Sequence, residues 1–300
     1  MNKRLVAIAA LPAFFFVPLL LVAARQLNEK AASGEDPVLV GAGDIADCAD
    51  LSGAEATARL LERIPGTVVA IGDLAYPDGS KENFDCYDKT WGRVKNRTRP
   101  AVGNHEFHSK DAAFYFNYFG NSAGDFRDGF YSYDLGAWHI ISINSECAEV
   151  SGCEPGSREE KWLREDLAAH PALCTLAYFH KPRFSSGGAH GDDLSVKPIY
   201  QALYDANADV ILGGHDHDYE RFAPQDADGN ADPKRGIREF VVGTGGKSHR
   251  PFGDPHANSE VRNNEAYGVL KLMLHAKGYD WQFVPEAGKA FTDSGSGSCH

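Results

Sequence analysis

Gly213-Gly214-His215-Asp216-His217-Asp218-Tyr219-Glu220-Arg221 follows the short apolar run Ala208-Asp209-Val210-Ile211-Leu212. The run reads as a buried strand, and the two glycines permit a sharp backbone bend at its end. Histidines at i and i+2 can then turn towards one point. Read alone, the stretch is equally a pair of histidines in a surface loop. Four other motifs, each just past an apolar run, supply the carboxylates, amide and third imidazole that a two-metal site requires.

Working outward, Val38-Leu39-Val40-Gly41-Ala42 runs into Gly43-Asp44, and 67–71 into Gly72-Asp73-Leu74-Ala75-Tyr76. Arg99-Pro100-Ala101-Val102 precedes Gly103-Asn104-His105-Glu106, and the run 173–179 precedes His180. Helical spacing is predicted over 52–64, 82–94, 157–170 and 196–206, with Ser52 as the N-cap of the first and Pro65-Gly66 as its stop. Ser157 and Glu160 form a capping box for the third. This βαβα alternation predicts parallel strands with functional loops at their C-terminal ends.

Segments 129–135 and 138–143 flank Gly136-Ala137 and read as an antiparallel hairpin. Further antiparallel strands are expected at 237–242, 268–274 and 279–284. Residues 225–230 read as a hairpin turn and not a calcium loop, because the glycine falls too early and no glutamate closes it. No repeat is visible and no linker splits 36–286, so the expectation is one mixed α/β domain with two packed sheets. A flexible tail is expected over 287–300, where Gly and Ser alternate.

Hydrophobic residues at 43% and aromatics at 11% are ample for a core and exclude disorder. A net charge of −12 and a pI of 5.4 exclude nucleic acid as the main partner, since no basic stripe neutralises phosphates. An anionic small-molecule substrate stays compatible where metal ions dominate the local field.

Met1-Asn2-Lys3-Arg4 is basic, and 5–24 is an uncharged apolar run. At about 1.5 Å per residue the run just reaches across a bilayer. Val22-Ala23-Ala24 fits a small-residue cleavage site, so 1–24 reads as an export signal, with a membrane anchor through 5–24 as the alternative and 25–36 as a polar linker. The protein is therefore expected to be secreted or extracytoplasmic, and its six cysteines to form disulfides. Cys147 with Cys153, Cys48 with Cys86 and Cys174 with Cys299 are the expected pairs, although spacing alone leaves the connectivity open. Asn96-Arg97-Thr98 matches a glycosylation acceptor, a pattern common by chance.

Gly43-Asp44, Gly72-Asp73-Leu74-Ala75-Tyr76, Gly103-Asn104-His105-Glu106, His180 and Gly213-Gly214-His215-Asp216-His217, in that order, resemble the calcineurin-like metallophosphoesterase superfamily. Tyr76, three residues after Asp73, and the Tyr219-Glu220-Arg221 extension narrow the resemblance to the purple acid phosphatase branch. It spans residues 38–285 and implies a four-layer αββα sandwich with two mixed β-sheets. Ala46 stands where the family's first motif often has glycine.

The resemblance implies that Asp44, Asp73, Tyr76 and His217 hold a first metal, with Asp73 bridging and Asn104, His180 and His215 completing a second. Fe(III) is expected in the first position and Fe(II), Zn or Mn in the second. Donor chemistry agrees: carboxylates and a phenolate suit a hard trivalent ion, whereas imidazoles and a neutral amide suit a divalent one. Such ions lower the pKa of bound water, giving hydroxide for in-line attack on a phosphate monoester.

His105 resembles the family histidine that contacts substrate phosphate or protonates the leaving group. His190, beyond the Gly/Ser-rich segment 182–189, is the second catalytic candidate, with a surface histidine on a mobile loop as the plain alternative. Arg221 reads as a structural partner of a carboxylate. The expected activity is hydrolysis of phosphate monoesters. A nucleotidase or phosphodiesterase on the same metals is the alternative. A non-catalytic metal- or phosphate-binding protein would be marked by a missing ligand, and none is missing.

Overall fold

Runs of Val, Ile and Leu bounded by glycine become strands because β-branched side chains pack well on a pleated surface. The computed structural model describes residues 36–126 and 128–300. The expected signal, anchor and most of the polar linker lie outside the described residues.

The first half alternates β1 (Val38–Ala42), β2 (Ala46–Asp47), α1 (Ser52–Arg63), β3 (Thr67–Ile71), β4 (Ala75–Tyr76), α2 (Lys81–Lys89), β5 (Thr98–Ala101), α3 (Asn104–Phe107) and α4 (Ala113–Phe119). A hairpin of β6 (Tyr131–Leu135) and β7 (Trp138–Ser142) leads to α5 (Arg158–Ala169), β8 (Cys174–Tyr178), α6 (Lys197–Asp205) and β9 (Val210–Gly213). The last strands are β10 (Tyr219–Phe222), β11 (Arg238–Val242), β12 (Ser259–Asn263), β13 (Gly268–His275), β14 (Gly278–Pro285) and β15 (Ser294–Ser298).

Two large mixed sheets result, ordered β15-β14-β13-β1-β3-β5 and β12-β10-β11-β9-β8-β7-β6, with a β2-β4 ribbon beside them. The strands β1, β3 and β5 run parallel, as do β7, β8, β9 and β11. The expectation of purely antiparallel pairing for β11 therefore fails on one side, where it lies parallel to β9.

Side-chain alternation builds the layers. Along β7 and β8, Trp138, Ile140, Leu176 and Tyr178 face the cluster between the sheets, while Ile141 and Ala177 face the cluster under Leu163 of α5 and Ile199 and Leu203 of α6. Ala58 and Leu61 of α1, Tyr87 of α2 and Tyr115 of α4 cover the other face of the first sheet. Four layers follow, each fully buried aliphatic side chain contributing about 1.5–3 kcal/mol.

Three local expectations are corrected. Ser52 is the first helical residue of α1, not its cap, and its N–H is taken by Asp50 Oδ1 at 2.9 Å. The helix expected over 82–94 breaks at Thr90 into α2 and a 3-10 turn, Trp91–Arg97. The tail is no flexible linker: β15 pairs along β14, with Ser294 opposite Gln282 and Ser298 opposite Gly278. Small residues suit it, because a side chain at Gly295 would strike the Trp281 ring at 2.3 Å.

Disulfides join Cys48–Cys86, Cys147–Cys153 and Cys174–Cys299, the last holding β15 to the second sheet. Among the described residues no helix is long and apolar enough to cross a membrane.

Candidate metal centre

The predicted ligands sit where parallel strands of both sheets end. Asp44 follows β1, Asp73 follows β3 and Asn104 opens α3 after β5, while His180 follows β8 and His215 and His217 follow β9. Asp44, Asp73 and His215 have φ of 60°, 50° and 72°. That left-handed backbone costs roughly 1–3 kcal/mol per residue and persists where the surroundings fix it. Gly72, at φ 72°, is needed for the approach of His180, whose ring would meet a Cβ there at 2.5 Å.

Tyr76 Oη lies 2.8 Å from Asp44 Oδ1, 3.1 Å from Asp73 Oδ2 and 3.2 Å from His217 Nε2. Asp73 Oδ2 is also 3.1 Å from His180 Nε2, which is 3.1 Å from His215 Nδ1. Asp73 thus belongs to both donor sets. Asn104 Oδ1 is buried with no hydrogen-bond partner. Donors about 2.0–2.3 Å from one ion stand roughly 3 Å from each other, so these spacings and the orphaned amide oxygen fit metal binding.

The electrostatics point the same way. Burial pushes the Asp44 carboxyl up to about 7, with Asp73 adding to the effect. Burial would also raise Asp73, but the His180 charge outweighs it and holds the group well below the usual carboxylate range. Burial would lower His180, yet Asp73 and Asp44 push it up to about 10. Burial lowers His217 to about 4 and drives His215 well down. Without an ion, therefore, one imidazolium balances a buried group of acids, and a cation of higher charge would replace that proton.

Ring orientations are fixed from behind. His180 Nδ1 is 3.0 Å from Ile71 O, and His217 Nδ1 is 2.7 Å from Ser248 O. A carbonyl only accepts, so each Nδ1 carries a hydrogen and each Nε2 is the nitrogen that faces the site, free to ligate once any proton on it is displaced. His105 likewise donates from Nδ1 to Pro77 O at 2.5 Å, which leaves its Nε2 3.7 Å from Asp73 Oδ2. His190 stacks on His215 with centroids 4.0 Å apart. Eight of the nine predicted residues thus meet through these contacts, and Asn104 adjoins them in the chain through His105, whose N–H donates to Asp73 Oδ1 at 2.8 Å.

Sequence reasoning missed three buried carboxylates that shape the loops. Glu106 accepts N–H bonds from Asp73 (3.0 Å), Leu74 (2.9 Å), Ala75 (3.2 Å) and Gly103 (2.9 Å). Asp216 accepts from Ser185 Oγ at 2.6 Å and from the amides of His190 and Gly191 at 3.2 and 3.0 Å. Glu220 binds the Ser186 amide and hydroxyl at 2.7 and 2.6 Å. The only signal was their place inside the ligand motifs. Arg221 pairs with Asp293 and Glu260, as its structural reading requires.

The family described as calcineurin-like phosphoesterase matches residues 25–219. Purple acid phosphatase 21 of Arabidopsis thaliana is 26% identical over 79% of this chain and 58% of its own length. The chain thus spans less than two thirds of that relative. Among solved structures, the purple acid phosphatase PPD1 from yellow lupin (Lupinus luteus) shares the fold with a TM-score of 0.76 at 18% identity, over 89% of this chain and 54% of the lupin chain. GAP50 of Plasmodium, described as the anchor in the inner membrane complex, superposes with a TM-score of 0.67 at 15% identity, over 89% and 90% of the two chains.

Proposed function

This chain belongs to the calcineurin-like phosphoesterase family, on its purple acid phosphatase-like branch, and on that premise we propose that it is a secreted two-metal phosphatase acting on small phosphate monoesters. The observation that carries the reading is the meeting of four strand-end motifs at Asp73 Oδ2 and Tyr76 Oη, which between them lie within 3.2 Å of Asp44, His180 and His217.

Asp44, Asp73, Tyr76 and His217 would hold the first ion, and Asp73, Asn104, His180 and His215 the second. When bound, the ions supply the Lewis acidity that polarises the phosphoryl group and activates water. The remaining steps belong to the chain. The Ile71 and Ser248 carbonyls keep His180 Nε2 and His217 Nε2 aimed inward. The Nδ1 bond to Pro77 O turns His105 Nε2 towards the site, the position from which an imidazolium would hand a proton to the departing oxygen. His190 covers His215 and shields the second position from bulk water.

Tyr76 supports Fe(III) in the first position. Burial, with Asp44 and Asp73 beside it, drives its hydroxyl well above the ordinary phenol range, so only a hard, strongly acidic ion would make it a phenolate ligand. Three disulfides support export to an oxidising compartment. A complete donor set weighs against a non-catalytic binding role. Phosphate release from phenyl phosphate by the wild-type protein, abolished in Asp73→Asn, tests the reading; full activity in that variant would sink it.

A further inference from the structure

The loop 247–253 is bonded to both halves of the site. Lys247 N–H donates to Asp44 O at 2.8 Å and Arg250 N–H to His217 O at 3.3 Å. On the other side, Gly188 N–H donates to Pro251 O at 3.0 Å and Gly253 N–H to Ser186 O at 2.8 Å. The loop is thereby tied to the segment that carries His190. Between these anchors the Arg250 side chain reaches across the rim, its Nη1 3.2 Å from His190 Nε2.

Two other cations nearby are neutralised: Lys247 pairs with Asp47, and Lys181 with Glu146. Among the described residues Arg250 has no carboxylate partner, and its remaining guanidinium N–H groups have no partner either. A guanidinium held by its backbone, with no counter-ion, at the mouth of a site for anionic substrates presents a fork matched to phosphoryl oxygens. His190, whose ring stacks on His215 with centroids 4.0 Å apart, carries the guanidinium on its Nε2, so Arg250 stands outward of His215 at the rim of the site.

We propose that Arg250 is a specificity-determining residue that grips a substrate phosphoryl oxygen, that of a second phosphoryl group on the leaving-group side. The favoured substrates then carry two linked phosphoryl groups. This rests on the phosphatase reading above.

The test compares metal-loaded wild type, Arg250→Gln and Arg250→Lys on phenyl phosphate, with one phosphoryl group, and on a nucleoside 5′-diphosphate, with two. In Arg250→Gln, KM for the diphosphate should rise at least about tenfold, the loss of one charge-assisted hydrogen bond, with the change in KM and not in kcat. Arg250→Lys should recover part of it. A rise confined to the diphosphate supports the second-phosphoryl grip, whereas an equal rise for both substrates moves the grip to the reacting phosphoryl and overturns the stated preference. Unchanged KM for both overturns the role altogether. If wild type hydrolyses neither compound, the phosphatase reading fails, and calorimetry with pyrophosphate on metal-loaded protein decides separately: equal affinity in wild type and Arg250→Gln overturns the inference.

Discussion

The Tyr76 hydroxyl sits 2.8 Å from Asp44 Oδ1, linking the small β2-β4 ribbon to the end of β1. Phenylalanine would keep the ring and its packing but remove the only oxygen Tyr76 brings to the site. Tyr76→Phe is expected to fold with unchanged circular dichroism, to lose any visible charge-transfer band of the iron-loaded protein, and to lose roughly tenfold or more in activity. A retained band would remove Tyr76 from the ligand set.

Glu106 touches no substrate, yet it receives four backbone N–H groups around Asp73 and Gly103. Burial and the adjacent Asp73 push its pKa up to about 8, against those donors, which favour the carboxylate. Glu106→Gln puts an NH2 group against N–H donors. Metal affinity should fall about 10–100-fold, as for other outer partners of metal ligands. Equilibrium dialysis with zinc checks this; unchanged affinity would show that the loop holds its shape without the charge.

His139 is buried between two carboxylates, with Nδ1 2.9 Å from Asp134 Oδ1 and Nε2 2.8 Å from Asp166 Oδ2. Ser132 Oγ also donates to Asp166, and His170 Nδ1 lies 3.1 Å from it. Burial would lower the His139 pKa, but the two carboxylates raise it overall, and Asp166 is lowered despite its own burial penalty. A raised histidine stabilises below its unfolded pKa and loses that contribution as pH rises through its folded value. A lowered aspartate stabilises above its unfolded pKa and loses that contribution as pH falls. The pair therefore contributes most between about pH 4 and 6.5. His139→Gln should cost about 3 kcal/mol in that window and less above it. Thermal unfolding of both proteins from pH 4 to 9 tests it, and a pH-independent difference would exclude the charged pair.

The fold class and the candidate donors were legible because strand ends carry their own punctuation: an apolar run, a glycine, then a polar residue. Asp44, Asp73, Asn104 and His215 all follow that pattern. Glu106, Asp216 and Glu220 were not legible as supports, because most of their partners are amides and hydroxyls far along the chain that only folding brings near; Glu220 meets Ser186 across 34 residues. The strand β15 was hidden for another reason. Its Gly/Ser composition has no apolar signature, and its order comes from the edge of β14 and the Cys174–Cys299 disulfide.

The most direct test of the central claim is metal content and phosphate release measured on one sample, before and after chelation. The account predicts two metal ions per chain, hydrolysis of phenyl phosphate that chelation abolishes, and recovery on adding back iron with zinc or manganese. Hydrolysis that survives complete metal removal, or a fully loaded protein that releases no phosphate, would contradict it.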